Sequence, residues 1–599
     1  MPGALRSRPQ SSERGQSGEA GESEAAIADD PVITAPGAES PAATARVLRG
    51  TLVIVLALRL LVAFFLPFTG DEAYYYYWGA YPALAYYDHP PMVGWLMAPV
   101  VALGMAEWWL RMPALLLVFA VAWMVRRMAR IAGPVQADLA ALCVLLVPAE
   151  LFNVLTTTDT PLVLFSMASL LAYQTAVQRV EAGGAAVNRW HAVAGLLLGA
   201  AFMSKYFAVL LGLAYLVFAL SAARRARAWP GFFIVTAAAL PWALANAWGN
   251  YEHCWLNVLF NFENRHDNVR LSPSLVATYL VCIIYLTSPF ALWRLARRAS
   301  EAVRSRVASG PRPPASPTLR DDAARWLPAC AFLVPVIVLG LVSTVRSVGL
   351  HWPLAFTPLA FVLAAFCLPE RALRTDVRYL AVLSGVHALV FAVLALMPLE
   401  TWRGYRIYDG LVLTVKSDEL LAALAPWRGS HVFATDGYSN SVTLGYQARR
   451  AAMRAGGHAE PVAGTAPDAR PVAPAPLDLR SLDFLVFGAG SAHGRQQDVF
   501  DDFRVLDGRD ILVLRKTPPP PAEYEPYFDS VEYSSVDVRG VTFHIIRGEH
   551  FRFDSYRDGV LRLIRDRFYR APGWLPEGRC FFCERYFGAD ARAVTMRGH

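Results

Sequence analysis

Charge is scarce in this chain: Asp, Glu, Lys and Arg make up 18% of 599 residues, against 55% hydrophobic. That balance excludes an ordinary soluble protein, which needs more polar surface. Nearly charge-free stretches of roughly 18–22 residues recur through the first 400 positions, the length that crosses a bilayer core. The clearest are 51–67, 160–177, 229–248, 272–293, 327–345, 352–368 and 378–398.

Nucleotide signatures are missing too. No G-x-G-x-x-G run stands in a strand-to-helix context and no Walker A sequence is present, so no nucleotide cofactor is expected. The net charge of +7 does not point to nucleic acid as a partner, because basic residues in a membrane protein chiefly set orientation. Internal repeats are absent. Of the seven cysteines, five lie in or near apolar runs, where cysteine behaves as a small hydrophobe. Cys580 and Cys583 form a lone CxxC, read as a local disulfide or two plain thiols, since zinc needs two more ligands.

Large apolar groups are nearly absent from residues 1–45, which cannot offset their ordering entropy and read as a disordered cytoplasmic tail. This segment is too long and acidic for a secretory signal, so the first helix is expected to be retained. Residues 46–400 then form a polytopic α-helical membrane domain of about eleven spans. Residues 401–599 alternate short strands and helices, which predicts a small α/β domain. HVFATD (431–436) and DFLVFGAG (483–490) read as buried strands, and FRVLDGRDILVLRK (503–516) reads as a hairpin turning at Asp-Gly. The Ala-, Pro- and Gly-rich stretch 451–480 reads as a loop.

Basic clusters at 126–130, 223–228, 294–325 and 370–378 mark cytoplasmic loops under the positive-inside rule, together with the N-terminus. The opposite face then collects 70–91, 150–160, 204–207, 250–273 and 345–352, where acids, aromatics and histidines concentrate. This predicts an extracytoplasmic site and an extracytoplasmic C-terminal domain.

GDEAYYYYWG brings Asp71 and Glu72 to the end of the first span. A carboxylate there can act as a general base if its surroundings bring its pKa near the working pH. Alternatively, the pair caps an interfacial helix. In YYDHPPM, Asp88 and His89 precede two prolines that stiffen an extended turn, after Tyr86 and Tyr87. Asp plus His can hold a divalent metal ion, or an anion when the histidine is protonated. The tyrosines stack on sugar rings or form an aromatic belt. Asp159 in TTTDTPL caps a span or supports a site. Lys205 interrupts two apolar runs in FMSKYFAVL, where an isolated cation costs roughly 2.5–3.5 kcal/mol and calls for a cavity or partner. Arg265 and His266 in FENRHDN, and Arg346 and His351 in VRSVGLHW, add cations to this face. A basic ceiling over an acidic loop suits a phosphate leaving group opposite a carboxylate base.

In order, GDEAYYYYWG, YYDHPPMVGWL, TTTDTPLVLF, FMSKYFAVL, FNFENRHDN and HWPLAFTPLAFVLAA resemble the GT-C membrane glycosyltransferases over roughly residues 50–400. Within them the chain is most similar to the family 39/83 group, which includes protein O-mannosyltransferases and bacterial lipid A aminoarabinose transferases. The resemblance implies a polyprenyl-phosphate sugar donor and inverting transfer to a lipid, glycan or protein acceptor. It implies an enzyme among the lipids of the bacterial inner membrane. Asp71 matches the general base and Asp88 the second active-site or metal carboxylate. Lys205, Arg265 and His266 match donor-phosphate contacts. His89 departs from the pattern, since the aminoarabinose transferases carry lysine there. The rival readings are a transporter or flippase of lipid-linked sugars, which places charge at mid-depth or on both sides, and a non-catalytic subunit that binds such sugars.

Overall fold

Among the described residues, six helices are long and apolar enough to cross a membrane, and they set the architecture: Pro41–Phe65 (α1), Glu107–Ala129, Asp159–Glu181, Ala228–Glu252, Ala323–Val342 and Glu370–Leu396. A seventh span arises if Pro273–Leu286 and Pro289–Arg304, bent by 103° at their junction, count as one. The chain, seen here in a computed structural model, is described at residues 40–221, 228–264, 271–309, 322–454, 484–488 and 501–588. It is an integral membrane protein with a C-terminal domain built on a β-sheet.

Several of the apolar windows fold as shorter helices. Met92–Leu103, Pro134–Leu145 and Tyr206–Ser221 are apolar but run only 10–17 residues, short of the ~20 that span a bilayer. The window 352–368 divides into the turn Trp352–Ala355 and the buried helix Leu359–Cys367. Pro134–Leu145 is buried on nearly every side, as its small, mostly apolar residues allow. Its one carboxylate, Asp138, accepts a 2.5 Å bond from Arg126.

The first helix begins at Pro41, a residue suited to the first helical turn. Within it, Arg59 is buried and donates to the carbonyls of Ala114 (2.6 Å), Leu151 (3.0 Å), Asn153 (2.8 Å) and Glu150. Those bonds satisfy a charge inside the bundle and fix the 150–153 segment leading to TTTDTPL.

Among the described residues the C-terminal sheet has five strands: Val432–Thr435 (β1), Leu485–Val486 (β2), Ile511–Arg515 (β3), Ser530–Val538 (β4) and Val541–Glu549 (β5). Their order is β2-β1-β3-β5-β4, with β1 parallel to β2 and β3, and β5 antiparallel to β3 and β4. Both sequence-predicted strands form. The predicted 503–516 hairpin does not. Phe503–Leu506 is a 3-10 turn that buries Phe503 and Leu506, and only Ile511–Arg515 extends, between β1 and β5. Gly508 still supplies the positive φ of 73° that the Asp-Gly step suggests. The true hairpin is β4–β5, which turns at Arg539-Gly540 with both φ positive and Val538 opposite Val541. Most of the predicted 451–480 loop lies outside the described residues, as do residues 1–39.

Gly70–Ala80 (α2), Met92–Leu103 (α3), Asp159–Glu181 (α4), Ala228–Glu252 (α5) and Tyr438–Arg454 (α6) position the site. The sixth comes from the C-terminal domain and packs on α2. Tyr446 stacks on Phe68 at 4.3 Å and donates to the Met105 carbonyl at 2.8 Å. Arg449 lies 4.9 Å over the Tyr77 ring and donates to the Tyr81 hydroxyl at 2.9 Å, and Arg450 pairs with Glu107. The tyrosine run therefore cements the two domains.

Candidate active site

Helix α2 starts in a capping box. Glu72 N donates to Thr69 Oγ1 (3.3 Å) and Thr69 N donates to Glu72 Oε2 (3.0 Å). Arg111, fully buried, reaches the same carboxylate with Nε on Oε1 at 2.6 Å and Nη2 on Oε2 at 2.8 Å. The guanidinium also takes the Ala63, Leu66 and Pro67 carbonyls, so one side chain joins the end of α1 to the start of α2. With both oxygens engaged and 3% of the residue exposed, Glu72 is a positioning residue rather than the substrate contact expected of it. Asp71, its neighbour, is exposed. Protein mass around it raises its carboxyl above the ordinary aspartate value.

Asp88 is half-buried and accepts a 3.3 Å bond from the Tyr74 hydroxyl. Its carbonyl is held by Asn261 Nδ2 at 3.2 Å, and the Tyr86 carbonyl by Asn257 at 3.4 Å. The far end of the Pro-Pro turn is tied down where Met92 N donates to the Met203 carbonyl at 2.9 Å, which brings YYDHPPM against the SKYF break. His89 is half-buried within the turn.

At that break Lys205 turns back to Asp159, the first residue of α4, with Nζ 2.9 Å from Oδ1 and 3.1 Å from Oδ2. Both residues are buried. Lys205 also lies 5.5 Å over the Phe207 ring, which meets Trp352 at 4.5 Å. That chain of contacts brings the His351 turn alongside; His351 is exposed and Arg346 half-buried. Arg265 and His266 lie outside the described residues.

Two tyrosines join these pieces. Tyr75 feels Asp88, Asp71 and Asp159 electrostatically and shares a side-chain hydrogen bond with Thr158. Burial, reinforced by the three carboxylates, pushes its hydroxyl well up. Tyr438, opening α6, meets Tyr74 ring to ring at 5.4 Å. Burial first, then Asp88 and Asp71, pushes Tyr438 up to about 12. Three of the acids singled out in the sequence, Asp71, Asp88 and Asp159, thus share one locality, closed on one side by the C-terminal domain.

The tyrosine belt is corrected. Tyr74 to Tyr77 are 4–8% exposed and Trp78 is fully buried. Tyr86 stacks on Trp78 at 3.8 Å, donates to the Trp78 carbonyl at 2.8 Å and accepts from Ala83 N at 3.0 Å. A Cβ at Gly94 would sit 2.5 Å from the Tyr86 hydroxyl, so glycine permits this packing. Tyr87 packs against Phe260 inside the C-terminal core. Tyr86 and Tyr87, expected to touch substrate, instead build the loop's foundation.

The family model for dolichyl-phosphate-mannose-protein mannosyltransferases matches residues 88–248. Lipid A galacturonosyltransferase RgtD of Rhizobium johnstonii is 26% identical over 428 residues, 68% of this chain and 84% of that protein. The crystal structure of apo ArnT from Cupriavidus metallidurans superposes with a TM-score of 0.53 at 15% identity, covering 84% of this chain and 98% of that one. The same enzyme bound to undecaprenyl phosphate gives 0.51 at 14% identity, with the same coverage. The chain therefore shares the fold of ArnT.

A metal at Asp88 and His89 would meet a poor donor set. Two ligands fall short of a divalent-metal site, and among the described residues no three His, Cys, Asp or Glu side chains converge to hold one. Sequence reasoning missed Arg111, Asn257, Asn261 and Tyr438. Only Arg111 carried a signal, as a cation between apolar runs; the others lie far along the chain and look ordinary.

Proposed function

We propose that this protein is a glycosyltransferase that moves a sugar from a polyprenyl-phosphate donor to a lipid A-type acceptor on the extracytoplasmic side of the bacterial inner membrane, with inversion. The observation that carries the proposal is Asp71: an exposed carboxylate of raised pKa, held out by the Glu72–Arg111 lock and grouped with Asp88 through Tyr74, Tyr75 and Tyr438. Asp71 takes the proton of the acceptor oxygen as that oxygen attacks the anomeric carbon. The bond to phosphate breaks and its electron pair leaves with the polyprenyl phosphate, so negative charge builds there and a cation must already be in place. Lys205 is that cation. Asp159 occupies two of its three N–H donors, which leaves one for a phosphate oxygen.

The lipid A acceptor is suggested by RgtD, and the polyprenyl carrier by the undecaprenyl phosphate bound to ArnT. Arg346 and His351 are further candidate contacts for the phosphate. No step passes through a metal. The test is to incubate purified protein with polyprenyl-phosphate sugar and lipid A, without a membrane gradient. Release of polyprenyl phosphate with glycosylated lipid A supports transfer. Movement of intact donor across vesicles, without its consumption, supports the flippase reading instead.

A further inference from the structure

Three buried thiols meet where the C-terminal arm crosses the C-terminal end of α5. Cys254 follows that helix in left-handed backbone (φ 58°), while Cys580 and Cys583 lie at the start of Phe581–Phe587 (α7). Each is at most 3% exposed. The arm is stitched to α5 by backbone bonds from Arg579 N to the Tyr251 carbonyl (2.9 Å) and from Cys254 N to the Arg579 carbonyl (2.7 Å). Trp255 Nε1 adds a 2.8 Å bond to the Pro576 carbonyl, and Arg579 pairs with Glu252 at 3.1 Å. The segment braced in this way, 250–261, carries Asn257 and Asn261, which hold the backbone of Tyr86 and Asp88. The arm is therefore a support for the active-site loop, two contacts removed.

Within the cluster the Sγ atoms of Cys580 and Cys583 stand 3.0 Å apart. Cys254 also hydrogen-bonds Cys580. Among the described residues no metal-holding group of three includes these thiols, so proximity points to sulfur–sulfur chemistry rather than to zinc.

We propose that Cys580 and Cys583 are joined by a disulfide in the mature protein, which fixes the turn that presses the arm onto Tyr251 and Cys254. The proposal rests on the extracytoplasmic placement of the C-terminal domain, a compartment where disulfides persist. The bond forms by exchange with a disulfide-bearing oxidant as the arm folds, before burial. The two thiols give up two protons and two electrons, one S–S bond forms between them, and the oxidant's S–S bond is reduced to two thiols. Cys254 stays a thiol against the bridge.

Protein purified with thiols blocked at lysis, then unfolded and alkylated, distinguishes the states by mass. Five of the seven cysteines are expected to alkylate before reduction and all seven after it. Peptide mapping is expected to place the protected pair at Cys580 and Cys583. Seven alkylated cysteines before reduction, or a bridge mapped to Cys254, would overturn the proposal. A second readout covers the arm. Reduction of the wild type is expected to expose cleavage sites within 570–588 to limited proteolysis, and Cys580→Ser to show the same cleavage without reductant. Equal protection in all samples would sink the supporting role. The thiol count does not depend on sugar transfer, so the two readings fail separately.

Discussion

Lys205 and Asp159 form a buried two-point ion pair, 2.9 and 3.1 Å, between the SKYF break and the first turn of α4. Each was singled out from the sequence for a separate reason, one as a cation among apolar residues and the other as a helix cap. Together they explain how a lysine can be buried here: its partner lowers the cost of burial.

Breaking that pair from one side leaves a buried charge. Lys205→Met should destabilise the protein by about 3–5 kcal/mol and abolish transfer. The double variant Lys205→Met/Asp159→Asn should recover much of the thermal stability without recovering transfer. Stability and turnover measured on the three proteins separate the two roles, and recovery of turnover in the double variant would remove Lys205 from the donor site.

The Glu72–Arg111 lock carries structure rather than chemistry. Arg111→Met leaves Glu72 charged and unpaired in the protein interior, with a loss of about 3–5 kcal/mol. Glu72→Gln keeps the helix cap and should cost less. Thermal unfolding of both variants in detergent checks the order.

Tyr438 reaches the acids from the C-terminal domain. Tyr438→Ala should lower kcat/KM about tenfold, close to 1.4 kcal/mol of transition-state binding. Tyr438→Phe, which keeps the ring against Tyr74, separates packing from the hydroxyl. Unfolding of Tyr438→Ala should stay near the wild type, because the residue is 38% exposed.

The pH behaviour follows from Asp71. Desolvation raises its pKa above 3.8, so the folded state holds this proton more tightly than the unfolded chain does. The group's contribution to stability is therefore greatest below its unfolded pKa and declines as pH rises through the folded value. Asp71→Asn should leave stability at neutral pH equal to or above the wild type. Transfer, which needs the ionised base, should fall on the acid side of a midpoint above 3.8, and a pH–rate profile reads it directly.

Much of this site was legible in the sequence because interrupted patterns stand out. An acid pair at the end of an apolar run, a lysine between two such runs and Asp-His before Pro-Pro all break a strong periodicity. What stayed hidden was which member of each group faces the ligand. Asp71 and Glu72 are adjacent, and only the distant Arg111 decides that Glu72 turns inward. The tyrosines misled for a similar reason: a belt and a domain interface both call for aromatic rings, and α6 fills the space lipid was expected to occupy. The missed β4–β5 hairpin turns at Arg-Gly, while the more familiar Asp-Gly step serves a 3-10 turn because Phe503 and Leu506 are drawn into the core.

The most direct test of the account is transfer by purified Asp71→Asn in detergent, with polyprenyl-phosphate sugar as donor and lipid A as acceptor. The wild type should release one polyprenyl phosphate for each sugar transferred, and the variant, folded and equally abundant, should be slower by about a hundredfold or more. Transfer by Asp71→Asn at the wild-type rate would contradict the account.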